Sequence, residues 1–163
     1  VFTPKVAGQE IRMTPYVLKR EQWVPRPLEE VFAFFAKPEN LERITPPHLS
    51  FHIITPPPLV MREGALLDYV IRLRGLPMRW TTLITDYDPP HRFVDVQLRG
   101  PYSYWHHTHT FEAVDGGTRL GDEVRYLLPF GPLGSLVHGL MVRRDVEAIF
   151  AYRNQVIGEF FGA

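Results

Sequence analysis

The hydrophobic period of this chain changes twice, and those two changes restrict its fold more than any other feature. In "PLEEVFAFFAK", Leu28, Val31, Phe32 and Phe35 recur at i, i+3, i+4 and i+7, which is one apolar helical face. From residue 49 the period drops to two. "LSFHII" (49–54), "LLDYVIRLRG" (66–75), "MRWTTLITDY" (78–87), "RFVDVQLRG" (92–100), "YSYWHHTHTFEAV" (102–114) and "TRLGDEVRYLLPF" (118–130) read as short strands. Asp88-Pro89-Pro90, Gly100-Pro101 and Asp115-Gly116-Gly117 supply turns between them. After "GPLG" the helical period returns over about 133–161, with a stripe of Val137, Met141, Val142, Val146, Ile149, Phe150, Ile157 and Phe160. Gly134, Gly139 and Gly158 weaken that helix locally.

Ahead of the first helix, "PYVLKREQWV" (15–24) reads as a strand ended by Pro25-Arg26-Pro27. Pro27 suits a first helical turn, where Glu29 and Glu30 are also favourable. "PENLERI" (38–44) is expected as a second short helix. The order is therefore strand, two short helices, five or six antiparallel strands, and one long helix. An antiparallel sheet needs one face covered, and only the last helix is long enough to do it. The expected class is α+β: a curved antiparallel sheet of six to seven strands around a long C-terminal helix, leaving an internal cavity.

A chain of 163 residues can bury a core as one domain. Residues 14–163 are expected to form that domain, with 1–13 as an N-terminal extension ahead of it. Lys plus Arg and Asp plus Glu both number 18, so the basic surplus of a nucleic-acid binder is missing. The same balance argues against holding a membrane by charge, and no apolar run approaches the ~20 residues of a spanning helix. With no cysteine, disulfides and thiolate chemistry are excluded. These features suit a cytoplasmic protein that meets neither nucleic acid nor membrane as an integral partner. They leave its oligomeric state open.

Strand parity separates inside from outside. Trp105, His107, His109 and Phe111 share one face; Tyr104, His106, Thr108 and Thr110 share the other. On the next strand Leu120, Val124, Tyr126 and Leu128 share a face with Asp122. Pairing Ala113 with Thr118 sets Phe111 opposite Leu120, His109 opposite Asp122, His107 opposite Val124 and Trp105 opposite Tyr126. A one-residue slip would break every inside match. Directly opposed Cβ atoms lie ~4.5–5.5 Å apart, so His109 and Asp122 are expected to bond on the concave face. The preceding hairpin is expected to pair Ile84 with Phe93, Thr82 with Asp95 and Trp80 with Gln97. That adds Asp95 and Gln97 to the interior. Arg153 falls on or beside the stripe of the long helix and is expected to reach Asp122 or Asp95.

Several stretches together carry a resemblance: "REQWVPRPLEEVFAFFAKPENLERITPPHLSF", "LPMRWTTLITDYDPPHRFVDVQLRGPYSYWHHTHTFE", "GTRLGDEVRYLLPFGPLG" and "IFAYR". In that order they resemble the START-like SRPBCC superfamily. Within it the chain is similar to the bacterial polyketide cyclase/dehydrase-like ligand-binding proteins, over about residues 14–161. The resemblance implies the helix-grip fold around a hydrophobic cavity. It also implies binding of lipids, isoprenoids, polyketides or similar molecules, with catalysis in some members and no universal catalytic motif to carry over.

The expected ligand site comprises Tyr69, Trp80, Asp95, Gln97, Trp105, His107, His109, Asp122, Tyr126, Ile149 and Arg153. The Pro-rich segments at 45–47 and 55–58 are expected to border its mouth. The leading reading is a soluble binding protein for a small hydrophobic molecule, without a cofactor. The second is a cyclase/dehydrase-type enzyme using His109 and Asp122 for proton transfer, since a carboxylate fixes an imidazole tautomer. The third is an interaction module that modulates a partner protein. A cavity with the His–Asp pair at its end favours the first two; a filled core with an exposed apolar patch favours the third. His-x-His also suits a metal, but no second ligand cluster accompanies it, so no metal is expected. His48, His52, His91, His106 and His138 are expected in loops or on the surface.

Overall fold

The computed structural model describes residues 14–129 and 141–163, together with the backbone of two short paired strands, β1 (Lys5–Val6) and β2 (Gln9–Glu10). The expected helix start near 133, with Gly134, Val137, His138 and Gly139, lies outside the described residues. So does most of the 1–13 segment.

Seven strands form one antiparallel sheet: β3 (Tyr16–Val24), β4 (His52–Ile53), β5 (Leu66–Leu73), β6 (Leu76–Asp88), β7 (Arg92–Arg99), β8 (Tyr104–Val114) and β9 (Gly117–Leu127). Their spatial order is β3-β9-β8-β7-β6-β5-β4. Strands β4 to β9 thus make an unbroken meander, and β3 closes it by pairing with β9. Helix α1 (Leu28–Phe35) follows β3, and α2 (Arg143–Phe161) ends the chain.

Turn chemistry sets the hairpins. Arg74 and Gly75 both have positive φ, 52° and 83°. That two-residue turn matches the twist of the flanking strands. It moves the start of β6 to Leu76, two residues before the expected start. Between β8 and β9 the turn is shorter than expected, with Val114 paired to Gly117. A side chain at Gly117 would collide with the Val24 carbonyl oxygen, so β3 can lie against this corner only because the residue is glycine.

Helix α1 begins just after Pro27, with Glu29 and Glu30 in its first turn. It buries Leu28, Val31, Phe32 and Phe34, and the expected Phe35 is only partly buried. The second expected helix is a single 3-10 turn, Pro38–Leu41, and the strand expected from residue 49 shrinks to β4 behind another 3-10 turn, Pro47–Leu49. Prolines at 38, 46 and 47 remove the N–H donors that longer elements would need.

The β6–β7 register differs from the expected one. Thr82 pairs with Gln97, Ile84 with Asp95 and Tyr87 with Phe93, with register shifts between Thr81 and Thr82 and between Ile84 and Asp86. Strand β6 continues through Asp88, and each bulge inserts a residue that a regular alternation cannot anticipate.

Along α2 the buried positions include Val146, Phe150, Arg153, Ile157 and Phe161. Phe160, expected on the stripe, is 45% exposed, whereas Phe161 is 2% exposed. From Phe150, eleven residues make about three turns and return to the same face; ten do not. Three clusters make the core. Among the described residues, one holds Leu28, Val31, Phe32, Phe93 and Phe161, a second Leu18, Val124, Tyr126, Val146 and Phe150, and a third Phe51, Ile71 and Trp80. Among the described residues, no helix is long and apolar enough to cross a membrane.

Candidate functional site

The β8–β9 hairpin has the expected register: His109 faces Asp122, His107 faces Val124, Trp105 faces Tyr126 and Phe111 faces Leu120. On the other side of β8, His107 faces Asp95 and His109 faces Phe93. Each histidine therefore has a carboxylate opposite it, from a different neighbouring strand. The side chains also cross diagonally. His107 Nε2 is 2.7 Å from Asp122 Oδ1, and His109 Nδ1 is 3.0 Å from the same oxygen. His109 Nε2 is 3.0 Å from Asp95 Oδ2, and His107 Nδ1 is 3.5 Å from it. The two rings lie 3.7 Å apart, Phe93 stacks on His109 at 4.1 Å, and Phe150 of α2 meets His107 edge-on.

This geometry assigns the protons. Carboxylates only accept, so His107 Nε2 donates to Asp122 and His109 Nε2 donates to Asp95. His109 Nδ1 also stands 3.0 Å from Asp122, so a carboxylate oxygen faces each nitrogen of His109 and favours its imidazolium form. The long fourth contact leaves His107 Nδ1 without a proton. Electrostatics agrees. Burial, then the charge of His109, pushes His107 down to about 4. Burial also disfavours charge on His109, but its bonds to Asp122 and Asp95 outweigh that and raise it. Burial works against ionised Asp95 too, and the neighbouring His107 and His109 override it and lower it. Asp122 is held well below the usual carboxylate range against its burial, by bonds from His107 and His109. Arg153 Nη1 stands 3.9 Å from Asp122 Oδ1. Two carboxylates, one imidazolium and one guanidinium thus balance, as a buried charge cluster must.

The cluster closes one side of a cavity of about 160 Å³. Of the expected site residues, Tyr69, Trp80, Asp95, Trp105, His107, His109, Ile149 and Arg153 line it. Asp122, Gln97 and Tyr126 are not among the lining residues. Asp122 sits behind the two histidines. Gln97 accepts from the Tyr102 N–H and donates to the Tyr102 carbonyl, clamping the loop at Gly100-Pro101. Tyr126 packs with Leu18, Val124 and Phe150, and burial pushes its hydroxyl up to about 12. Burial likewise raises Tyr69, whose hydroxyl is 3.4 Å from Thr82 Oγ1.

Sequence periodicity missed the wall contributed by irregular segments. Leu41, Ile44, Leu49 and Met61 all line the cavity from outside regular helix or strand or from a 3-10 turn. At the expected mouth, Thr45 lines the cavity, but residues 55–58 do not; exposed Lys37 and partly exposed Asn40 stand at its rim. His48, His52 and His91 are exposed, as expected.

Three polar atoms of the lining residues stand out. Arg153 Nε, Arg153 Nη1 and Trp80 Nε1 are buried and find no hydrogen-bond partner among the described residues. For a metal, Asp95, His107 and His109 bring donor atoms within 4.8 Å of one another, so Asp95 joins the two histidines as a third potential ligand. Two imidazoles and a carboxylate suit a transition metal. A cation could enter only by displacing the proton His109 shares with Asp95, and it would then sit beside Arg153.

No curated protein matches the sequence. Among solved structures, the chain is similar to TTHA0849 from Thermus thermophilus, with a TM-score of 0.67 and 18% identity over 87% of this chain and 97% of that one. It is similar to Ms6760 from Mycobacterium smegmatis, with a TM-score of 0.62 and 19% identity over 88% and 92%. It is also similar to Ara h 8.0201, with a TM-score of 0.58 and 16% identity over 88% and 99%. At such identities the likeness is one of fold, the helix grip expected from the sequence. The sequence itself matches a family over residues 24–150, most of the chain, and this protein belongs to that family: polyketide cyclase / dehydrase and lipid transport.

Proposed function

We propose that this protein binds one small hydrophobic molecule inside the sheet, between β5–β8 and helix α2. The observation that carries this reading is the cavity: Leu41, Phe51, Tyr69, Trp80, Trp105 and Ile149 form an apolar and aromatic wall around a single polar end. That is the composition of a ligand pocket, mostly apolar with a few placed polar groups. Its volume sets the size of the guest. At about 160 Å³ it is close to the ~150 Å³ of an apolar cavity that takes benzene, and below the ~300–1,000 Å³ of drug-sized sites. The guest is a single ring or a short chain; a longer lipid, isoprenoid or polyketide needs the wall to open.

Titration with 2-phenylethanol and indole, followed by the fluorescence of Trp80 and Trp105 and by native mass spectrometry, tests this. Saturable one-to-one binding is expected. No saturable binding of either probe would sink the reading.

A second reading, cyclase/dehydrase-type catalysis, draws on the placement of His107 and His109 in the cavity wall. In that reading Asp122 only orients the rings. His107 Nδ1, with its long 3.5 Å contact, is the ring nitrogen best able to exchange its partner for a substrate proton. Exchange of an α-proton of a ring-sized ketone in deuterated water, lost in His107→Gln, is the outcome this reading requires.

A further inference from the structure

Two residues that line the cavity carry buried donors without acceptors. Arg153, 8% exposed, enters from α2 and leaves Nε and Nη1 unbonded. Trp80, 6% exposed, enters from β6 and leaves Nε1 unbonded. The Tyr69 ring stacks on Trp80 at 5.9 Å. Arg153 and Trp80 line the same cavity.

A purely apolar guest would leave all three donors buried and unpaired. Buried donors in folded proteins are paired, and each exception calls for an explanation. The described residues offer them no acceptor. Asp122, the carboxylate near Arg153, is already bonded to both histidines and stays 3.9 Å from the guanidinium. Arg153 lies instead with its guanidinium 4.9 Å from the Phe150 ring centre, a cation–π contact that uses no N–H. What the site lacks is an oxygen acceptor, and next to a guanidinium the best acceptor is an anionic one.

We propose that the guest is a small amphipathic acid, a ring or short chain ending in a carboxylate, and that Arg153 and Trp80 Nε1 receive its oxygens. This rests on the cavity-binding reading above and adds the chemical class of the ligand. Arg153 is a binding residue here, and the His107–His109–Asp95–Asp122 cluster is the rigid polar wall behind it. The guest's carboxylate adds one negative charge to a cluster already balanced and meets Asp95 in the same wall, so its binding is expected to take up one proton, with neutral His107 the group in that wall able to accept it.

Phenylacetate, 2-phenylethanol and phenylacetamide share one size and differ in the polar end. Isothermal titration calorimetry on the whole protein compares them. Phenylacetate is expected to bind at least ~10-fold tighter than the alcohol, as a charge-assisted bond to a buried donor implies. Arg153→Met is expected to reduce that preference to under ~3-fold. Trp80→Phe is expected to lose part of it. Arg153→Met also removes a partner of Asp122, so its folding is checked by circular dichroism. Arg153→Lys, which keeps the charge but not Nε, serves as a second variant and is expected to retain some preference. Alcohol binding as tight as acid binding in the unmodified protein overturns this inference and leaves the cavity reading standing. An undiminished preference for the acid in folded Arg153→Met also overturns it. If none of the three probes binds, both readings fall together.

Discussion

Asp122 Oδ1 lies 2.7 Å from His107 Nε2, although the strand register sets Asp122 opposite His109. One carboxylate oxygen therefore holds two imidazoles, one across the strand and one diagonally. On the opposite side Asp95 bonds His109 Nε2 at 3.0 Å and stands 3.5 Å from unprotonated His107 Nδ1. The result is a cluster of four side chains in which His109 meets a carboxylate at both nitrogens and His107 is held at Nε2.

Asp122→Asn should break that cluster. It removes one negative charge from a balanced buried set and leaves His109 and Arg153 under-compensated. Breaking a buried ion pair on one side costs about 3–5 kcal/mol. The denaturation midpoint of the variant in urea should fall accordingly. A loss within ~0.5 kcal/mol, the range of surface substitutions, would mean that the cluster does not hold its charges as assigned.

Stability should fall on both sides of neutral pH. His107 stays neutral in the fold down to about 4, whereas unfolded it takes a proton near 6.5, so its contribution is lost as pH drops across that interval. Asp95 and Asp122 are lowered, so their contribution is full above the ordinary carboxylate range and lost as pH falls through their folded values. His109 is raised; its contribution is full below 6.5 and lost as pH rises through the raised value. Urea midpoints measured across pH should show this dome. His107→Gln should flatten the slope between 6.5 and 4, and an unchanged slope would contradict the assignment of protons.

Ile149→Trp should close the cavity from α2. The added ring has the 160 Å³ to occupy, so stability should stay within ~1 kcal/mol of the parent. Binding of 2-phenylethanol should weaken by ~10-fold or more, since its site is filled from within. Retained affinity would place the probe elsewhere on the protein.

Gly117→Ala and Gly116→Ala separate two uses of glycine at one turn. Gly116 has a φ of 73° with open space around it, so alanine meets only backbone strain, about 1 kcal/mol. At Gly117 the new methyl meets the Val24 carbonyl of β3, and about 2–3 kcal/mol should be lost. Thermal melts of the two variants check the order; equal effects would mean that β3 approaches less closely than the structure has it.

The legible and illegible parts of the site divide along one line. His109 and Asp122 could be paired from sequence because the β8–β9 hairpin runs without a bulge, so one turn fixes every pair along it. Asp95 lines the cavity as expected but faces Ile84 rather than Thr82, since the β6–β7 pair carries two register shifts, one on each strand, that leave no mark in the alternation. Gln97 has the right parity for the interior, yet its amide turns to the Tyr102 backbone. Tyr126 shares the inner face and still misses the cavity, because Leu18, Val146 and Phe150 fill the space around it.

Sequence alone determined what depends on neighbours along the chain: the two changes of period, the antiparallel meander, the covering helix and the face on which His107 and His109 lie. These follow from side-chain direction, which repeats every two residues in a strand and every 3.6 in a helix. Tertiary structure alone decided what depends on three elements meeting. The His–Asp cluster needs β7, β8 and β9 together, and Arg153 and Trp80, each with an unpaired buried donor, line one cavity only because α2 lies across the sheet. Periodicity fixes a direction; reach, diagonal contact and empty volume depend on packing between segments distant in the chain.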